Sequence, residues 1–124
     1  MPDDRRLRRI ESAILQAVGP LVAHGLADPR LVLVTVTRVR VSPDLGVARV
    51  NWSCLGGPAD RSKAQHALEQ ARGLLQAAVA KRIETRTTPR LEFHYDESLE
   101  KAQRVSRILD DLARGRPDDP SGGK

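Results

Sequence analysis

Histidine is the side chain best suited to moving protons near neutral pH, and this chain has three, His24, His66 and His94. They lie far apart and match no metal-ligand or catalytic spacing, so each reads as a surface or boundary residue. Ser98 sits among Asp96, Glu97 and Glu100. That is the setting of a helix cap; the strained G-x-S-x-G turn of a serine hydrolase does not occur. The acidic pairs Asp96-Glu97 and Asp110-Asp111 are neighbours in sequence, which suits helix ends better than acid–base work across a cleft. Cys54 is the single cysteine. It excludes an internal disulfide and a zinc site built on several thiolates, and it reads as a buried thiol. Gly56-Gly57 is a turn and does not match a Walker or dinucleotide loop. No catalytic residue, metal or cofactor is assigned.

The basic residues carry more information. The formal net charge is +5, and 17 of the 21 basic residues are arginine, whose planar fork suits phosphate. Arg5, Arg6, Arg8 and Arg9 cluster at the start of the first helical pattern. Arg38 and Arg40 share one face of a strand, opposite Val39 and Val41. Arg61, Lys63, Arg72, Lys81, Arg82 and Arg86 fall on a second helical pattern that has only Glu69 and Glu84 as acids. Arg82 and Arg86 read as i,i+4 neighbours. Such surfaces favour polyanions, although a merely solvated, Arg-rich surface would look alike.

These residues are positioned by elements legible from periodicity. Leu7, Ile10, Ile14, Leu15 and Val18 form a helical stripe over 5–18. Gly19-Pro20 predicts a kink or break, followed by a last turn capped at Gly25. Asp28-Pro29-Arg30 reads as a turn. Val32, Val34 and Val36, then Val39 and Val41, make a strand over 31–41. Its apolar face switches across Thr37-Arg38, which requires a β-bulge. After Ser42-Pro43-Asp44, a second strand covers 46–54 with Ala48, Val50, Trp52 and Cys54 on its inner face.

Asp60 is expected to cap a helix over 61–86, bent near Gly73. A third strand starts at Pro89, with Leu91, Phe93 and Tyr95 on one face. Asp96 or Ser98 opens a last helix with Leu99, Val105, Ile108, Leu109 and Leu112. Residues 5–113 form one domain, with flexible ends at 1–4 and 114–124. The class is α+β, with helices on one face of a small three-stranded sheet. Trp52, Phe93 and Tyr95 are the only aromatics, few for a base-stacking platform. No stretch is long and apolar enough for a membrane span, and residues 1–10 lack a secretory h-region, so a cytoplasmic protein is expected.

Several short motifs occur together in order: Asp28-Pro29-Arg30-Leu31, Ser42-x-Asp44-Leu45, Ala71-Arg72-Gly73, Arg86-x-x-Pro89-x-Leu91-x-Phe93 and Asp96-x-Ser98. In this the chain resembles the ribosome-binding factor A family over roughly residues 5–112. It departs from the family pattern at Arg90, where Glu is common, at Ala102, where Gly is common, and at Gly19-Pro20. The resemblance implies a type II KH-like fold, α-β-β-α(kink)α-β-α. It places Ala71, Arg72 and Gly73 at the interhelical kink, where a usual KH domain has its GXXG clamp. It implies a non-catalytic monomer that binds the free small (30S) ribosomal subunit and its 16S rRNA. It further implies a role in late maturation, rRNA processing and growth in the cold, and contacts with other assembly factors. The expected RNA surface is Arg72, Gly73, Lys81, Arg82 and Arg86, with Arg38, Arg40, Arg5, Arg6, Arg8 and Arg9 as further candidates. The alternatives are a KH-like protein acting on another RNA, and a ribonuclease using His24, His66 or His94.

Overall fold

The computed structural model describes residues 4–115. Met1–Asp3 and residues 116–124, most of the two expected flexible ends, lie outside the described residues. Helix α1 (Asp4–Pro20) leads through a π turn, Leu21–Gly25, and a 3-10 turn, Pro29–Leu31, into β1 (Val34–Val41). β2 (Val47–Cys54), α2 (Pro58–Gln70), α3 (Arg72–Arg82), β3 (Arg90–Tyr95) and α4 (Ser98–Ala113) follow. The sheet order is β1-β2-β3, antiparallel between β1 and β2 and parallel between β2 and β3. A parallel neighbour requires a crossover, and α2 with α3 supplies it. This is the α+β, type II KH-like order expected from the sequence.

The core forms where the inner sheet face meets α1, α2 and α3. Ile10, Ile14, Val18 and Val22 recur every fourth residue and are buried against Val39, Val41, Ala48, Val50, Leu91 and Phe93. The predicted bulge is present, since the β1–β2 register shifts between Val36 and Arg38. Trp52 fills the centre, 1% exposed. Its Nε1–H donates to Gln65 Oε1 at 3.1 Å, and the Tyr95 ring meets it edge-on with centroids 5.1 Å apart.

Four expectations are corrected. Pro20 does not break the first helix. The chain widens into a π turn, with the Leu26 N–H donating to the Leu21 carbonyl at 2.8 Å, and Val22 stays on the buried stripe. Gly25 is not the cap: Leu26 is, and Ala27 takes the positive φ of 51°. Strand β1 starts only at Val34, because Pro29–Leu31 forms the 3-10 turn and leaves Val32 exposed. Asp60 is the third residue of α2 rather than its cap; its Oδ2 reaches back to accept from the Gly57 N–H at 3.0 Å.

Helix α4 stands apart from the layer formed by α1–α3. Its root is well held. Asp96 Oδ1 accepts from the Ser98 N–H (2.9 Å) and hydroxyl (2.6 Å), while Asp96 Oδ2 accepts from the hydroxyl of the bulge residue Thr37 at 2.7 Å. These bonds, Ser98 first, hold the Asp96 carboxyl below the usual aspartate range. Glu100 takes the Tyr95 hydroxyl and the Arg61 guanidinium, the latter at 3.3 Å. Beyond Lys101 every described residue is exposed, including Val105, Ile108, Leu109 and Leu112. Little burial is therefore lost if the chain stops at Ala102. Removing residues 103–124 should shift the melting temperature by no more than a few degrees in a circular-dichroism melt. A drop above about ten degrees would mean that the distal helix contributes to the core.

Candidate nucleic-acid interface

Two basic clusters remote in sequence meet in space. The first turns of α1 carry Arg5, Arg6, Arg8 and Arg9, all exposed. The last turn of α3 carries Lys81 and Arg82. Packing of α1 on α3 leaves a cleft of about 490 Å³ between these ends, lined by Arg6, Arg9, Lys81 and Arg82, with Ile10, Ala13 and Ile83 below and Glu84 and Thr85 beside them. Arg6 and Arg9 are one helical turn apart, which puts them on the same side of α1. Arg82 Nη2 donates to Gln16 Oε1 at 2.5 Å, which orients its guanidinium against α1.

The charges at the two ends differ in what they do for their helices. Lys81 and Arg82 lie at the negative end of the α3 dipole, where cations are favoured. The four arginines lie at the positive end of α1, where they are disfavoured, and Asp4 is the only acid of the first turn. Helix stability does not account for them.

The remaining candidates are placed elsewhere. Arg86 is not an i,i+4 neighbour of Arg82. The helix ends at Arg82, Ile83 turns extended (φ −108°, ψ 144°) to bury its side chain, and Arg86 lies exposed in the loop before β3. Arg72 begins α3, nine residues and about 13 Å along the axis from Lys81. It is half-buried, its guanidinium 5.6 Å from the centroid of the Phe93 ring, with Nε buried and without a hydrogen-bond partner. Arg72 therefore packs on the sheet and does not share the cleft. Arg38 and Arg40 point from the outer face of the sheet, with the helices on its other side.

The kink is confined to one residue. α2 ends at Gln70, Ala71 sits at φ −85°, ψ −1°, and α3 starts at Arg72. The Ala71 N–H reaches the Ala67 carbonyl and the Ala71 carbonyl accepts from Leu75, each at 3.0 Å. Gly73 lies beyond the bend, and a Cβ there would meet nothing within 4 Å. The bend lies next to Gly73, as expected, but the backbone does not need glycine there: neither crowding nor positive φ requires it. Gly73→Ala should raise stability by up to about 1 kcal/mol through helix propensity, read as a higher urea midpoint with unchanged slope. A destabilised variant would show that the bend needs glycine.

The other groups considered for chemistry have structural settings. His24 is exposed within the π turn, His66 is exposed on α2, and His94 is on the outer sheet face, 3.4 Å from Glu92. Half-buried Cys54 accepts from the Gly56 N–H at 3.4 Å. Among the described residues no group of three or more His, Cys, Asp or Glu side chains is placed to hold a metal ion. No described helix is long and apolar enough to cross a membrane. Sequence reading missed the Arg61 arrangement, 4.6 Å over the Tyr95 ring and paired with Glu100. No local signal announces it, since the three residues come from three different elements.

The comparisons with known proteins agree with this architecture. A family model described as ribosome-binding factor A matches residues 6–109. A ribosome-binding factor A of Rubrobacter xylanophilus is 43% identical over 120 residues, covering 96% of each chain. One of Nitrosococcus oceani is 38% identical over 116 residues, covering 94% of this chain and 91% of its own. The crystal structure of ribosome-binding factor A from Thermus thermophilus superposes with a TM-score of 0.64 at 35% identity, over 72% of this chain and 94% of that one. A homology model of the Thermus thermophilus ribosome-binding factor A, fitted into a cryo-electron-microscopy map of its complex with 30S, gives a TM-score of 0.60 at 35% identity, over 72% of this chain and 93% of that one.

Proposed function

The chain belongs to the ribosome-binding factor A family, and from that premise we propose that it binds the free small ribosomal subunit through its 16S rRNA and supports late maturation of that RNA without catalysing a reaction. The observation that carries this reading is the cleft between α1 and α3, where Arg6, Arg9, Lys81 and Arg82 converge. The Thermus thermophilus relative fitted into a 30S complex supports the choice of partner. The cleft recognises the phosphate backbone, because four of its six polar side chains are cations, against one acid, Glu84, and one hydroxyl, Thr85, and phosphate contacts are made by such cations. The kink at Ala71-Arg72-Gly73 gives a second approach: Gly73 presents open backbone, so a ribose-phosphate can come close there. The protein acts in the cytoplasm, and its loss slows growth in the cold.

The test is sedimentation of the tagged full chain in a ribosome gradient from its own cells. The expected result is a peak with free small subunits and depletion from complete ribosomes. Migration at the top of the gradient, or equal binding to all ribosomal particles, would overturn the proposal in favour of a KH-like protein for another RNA. Incubation with precursor small-subunit RNA should leave that RNA intact. Cleavage lost on replacing His24, His66 and His94 together would instead establish a ribonuclease.

A further inference from the structure

The outer face of the sheet carries a second concentration of charge that the cleft does not use. The bulge at Thr37 shifts the register of β1 so that Val39 and Val41 turn inward while Arg38 and Arg40 turn outward. On β2 the same alternation puts Ala48 and Val50 inside and Arg49 outside. On β3 it puts Leu91 inside and Arg90 outside. All four arginines are exposed.

Their register brings them close. Arg40 pairs directly with Arg49, Arg38 lies one row further along beside Asn51, and Arg90 lies beside Val47 on the third strand. Rows of the same face repeat about every 6.7 Å along a strand, and neighbouring strands are about 4.8 Å apart. Like charges directly opposite destabilise a sheet. Glu92 is the one acid on the outer face of the paired strands. It stands beside Arg49 and within 3.4 Å of His94. Asp96, at the end of β3, lies near enough to Arg38 to feel its charge, but its oxygens are engaged by Ser98 and Thr37. Among the described residues none of the four arginines makes a direct ion pair.

A fold that needed only a soluble outer face would alternate its signs. A face holding four arginines on three strands, one pair directly opposed, is built for an external anion with closely spaced charges. The aromatic residues settle what part of that anion is read. Trp52 and Phe93 are buried on the inner side, and Tyr95 packs on Trp52 there. The outer face has a single ring, the exposed His94 beside Glu92, and one imidazole does not make the row of rings that a stacking platform needs. Guanidinium forks matched to phosphate oxygens are what it offers.

We propose that the outer sheet face is a second RNA-backbone surface, made by Arg38, Arg40, Arg49 and Arg90, and that one molecule holds two RNA segments at once, one in the α1–α3 cleft and one on the sheet. The sheet lies between the two surfaces, because α1 and α3 cover its inner side. The inference rests on the reading of the protein as an RNA binder, and it adds a bridging role. A factor with two such faces can fix the relative position of two rRNA strands that are distant in sequence, with no base-specific contact at the sheet.

The test measures stoichiometry. A short RNA hairpin of unrelated sequence is titrated into the full chain at low salt and the complexes are counted by native mass spectrometry. Wild type should bind two hairpins. The variant with Arg38→Gln, Arg40→Gln, Arg49→Gln and Arg90→Gln should bind one, and should melt no lower than wild type, because the Arg40–Arg49 repulsion is removed. A variant with Arg6→Glu, Arg9→Glu and Lys81→Glu should also bind one, through the sheet, and combining both sets should abolish binding. At the sheet face, log affinity should lose about three to four units of slope against log salt in the glutamine variant, near one for each lost phosphate. Saturation of wild type at one hairpin overturns the bridging role. So does a glutamine variant with wild-type stoichiometry and salt slope. If wild type still sediments with small subunits in either case, only this inference fails. If it binds no hairpin and no subunit, the proposed function fails with it.

Discussion

Replacing Trp52 with alanine is expected to lower the unfolding free energy by about 3–5 kcal/mol, the cost of deleting a large buried aromatic side chain. Small domains are stable by only about 5–15 kcal/mol, so this one change removes roughly a fifth or more of the total. Trp52 lies on the central strand, between Val36 of β1 and Tyr95 of β3. It joins three layers of contact: the inner sheet face, the edge of the Tyr95 ring, and Gln65 of α2. Gln65 is itself committed, donating to the Phe93 carbonyl at 3.0 Å and to Glu69 at 2.8 Å. Truncation therefore leaves both a void and an amide oxygen that has lost its donor. Trp52→Phe retains most of the volume and loses mainly the Nε1–H bond, so it should cost about 1–2 kcal/mol. The measurement is urea unfolding followed by far-ultraviolet circular dichroism, because the alanine variant has no tryptophan to report fluorescence. A lowered midpoint with an unchanged slope is expected. A loss below about 1 kcal/mol would mean that the surrounding helices close over the cavity.

The parts of the fold that were legible in the sequence are those where one face is buried. Ala48, Val50 and Trp52 alternate with Arg49, Asn51 and Ser53, and a period of two has only one reading when half of it is apolar. The Thr37 bulge was legible for the same reason, as a change in parity. Helix ends were less so. Asp60 looks like a cap, yet Gly57 fills that place and Asp60 bonds backwards to it. The difference is three residues: a capping Asp60 would accept from N–H groups ahead of it, whereas it accepts from the Gly57 N–H behind it. Pro20 forbids an ordinary helical bond but says nothing about whether the helix stops or widens. Tertiary packing decides, through the buried Val22. Helix α4 shows the opposite failure. Its apolar stripe reads like a core face, but what a stripe packs against is not written in its period. The candidate site was legible as a composition of arginines and not as a surface. Lys81 and the arginines of α1 meet only because α1 packs on α3, and Arg72, at the other end of the same helix, is turned into the sheet.

That last distinction makes a charge reversal in the cleft informative. Arg6→Glu, Arg9→Glu and Lys81→Glu together are expected to abolish co-sedimentation with free small subunits at physiological salt, where the sheet face that still holds a hairpin at low salt is too weak alone, while leaving the fold intact. The three side chains are exposed, so no buried contact is lost. The helix dipoles predict the sign of what remains. Glutamates at the positive end of α1 gain about 0.3–1 kcal/mol each, and a glutamate at the negative end of α3 loses a similar amount, so stability should be unchanged or slightly raised. Binding should respond in the other direction. Each phosphate contact removed lowers the slope of log affinity against log salt by about one unit, and each new carboxylate adds repulsion to the loss. Arg72→Glu supplies the contrast. Its guanidinium packs on Phe93, so a carboxylate there loses the ring contact and places an unpaired charge against the sheet. That variant should unfold at lower urea, and any loss of subunit binding should follow its loss of structure. A cleft triple variant that stays folded and still travels with the small subunit would remove the cleft from the RNA interface. An Arg72→Glu variant of wild-type stability that no longer binds would move the interface to the kink.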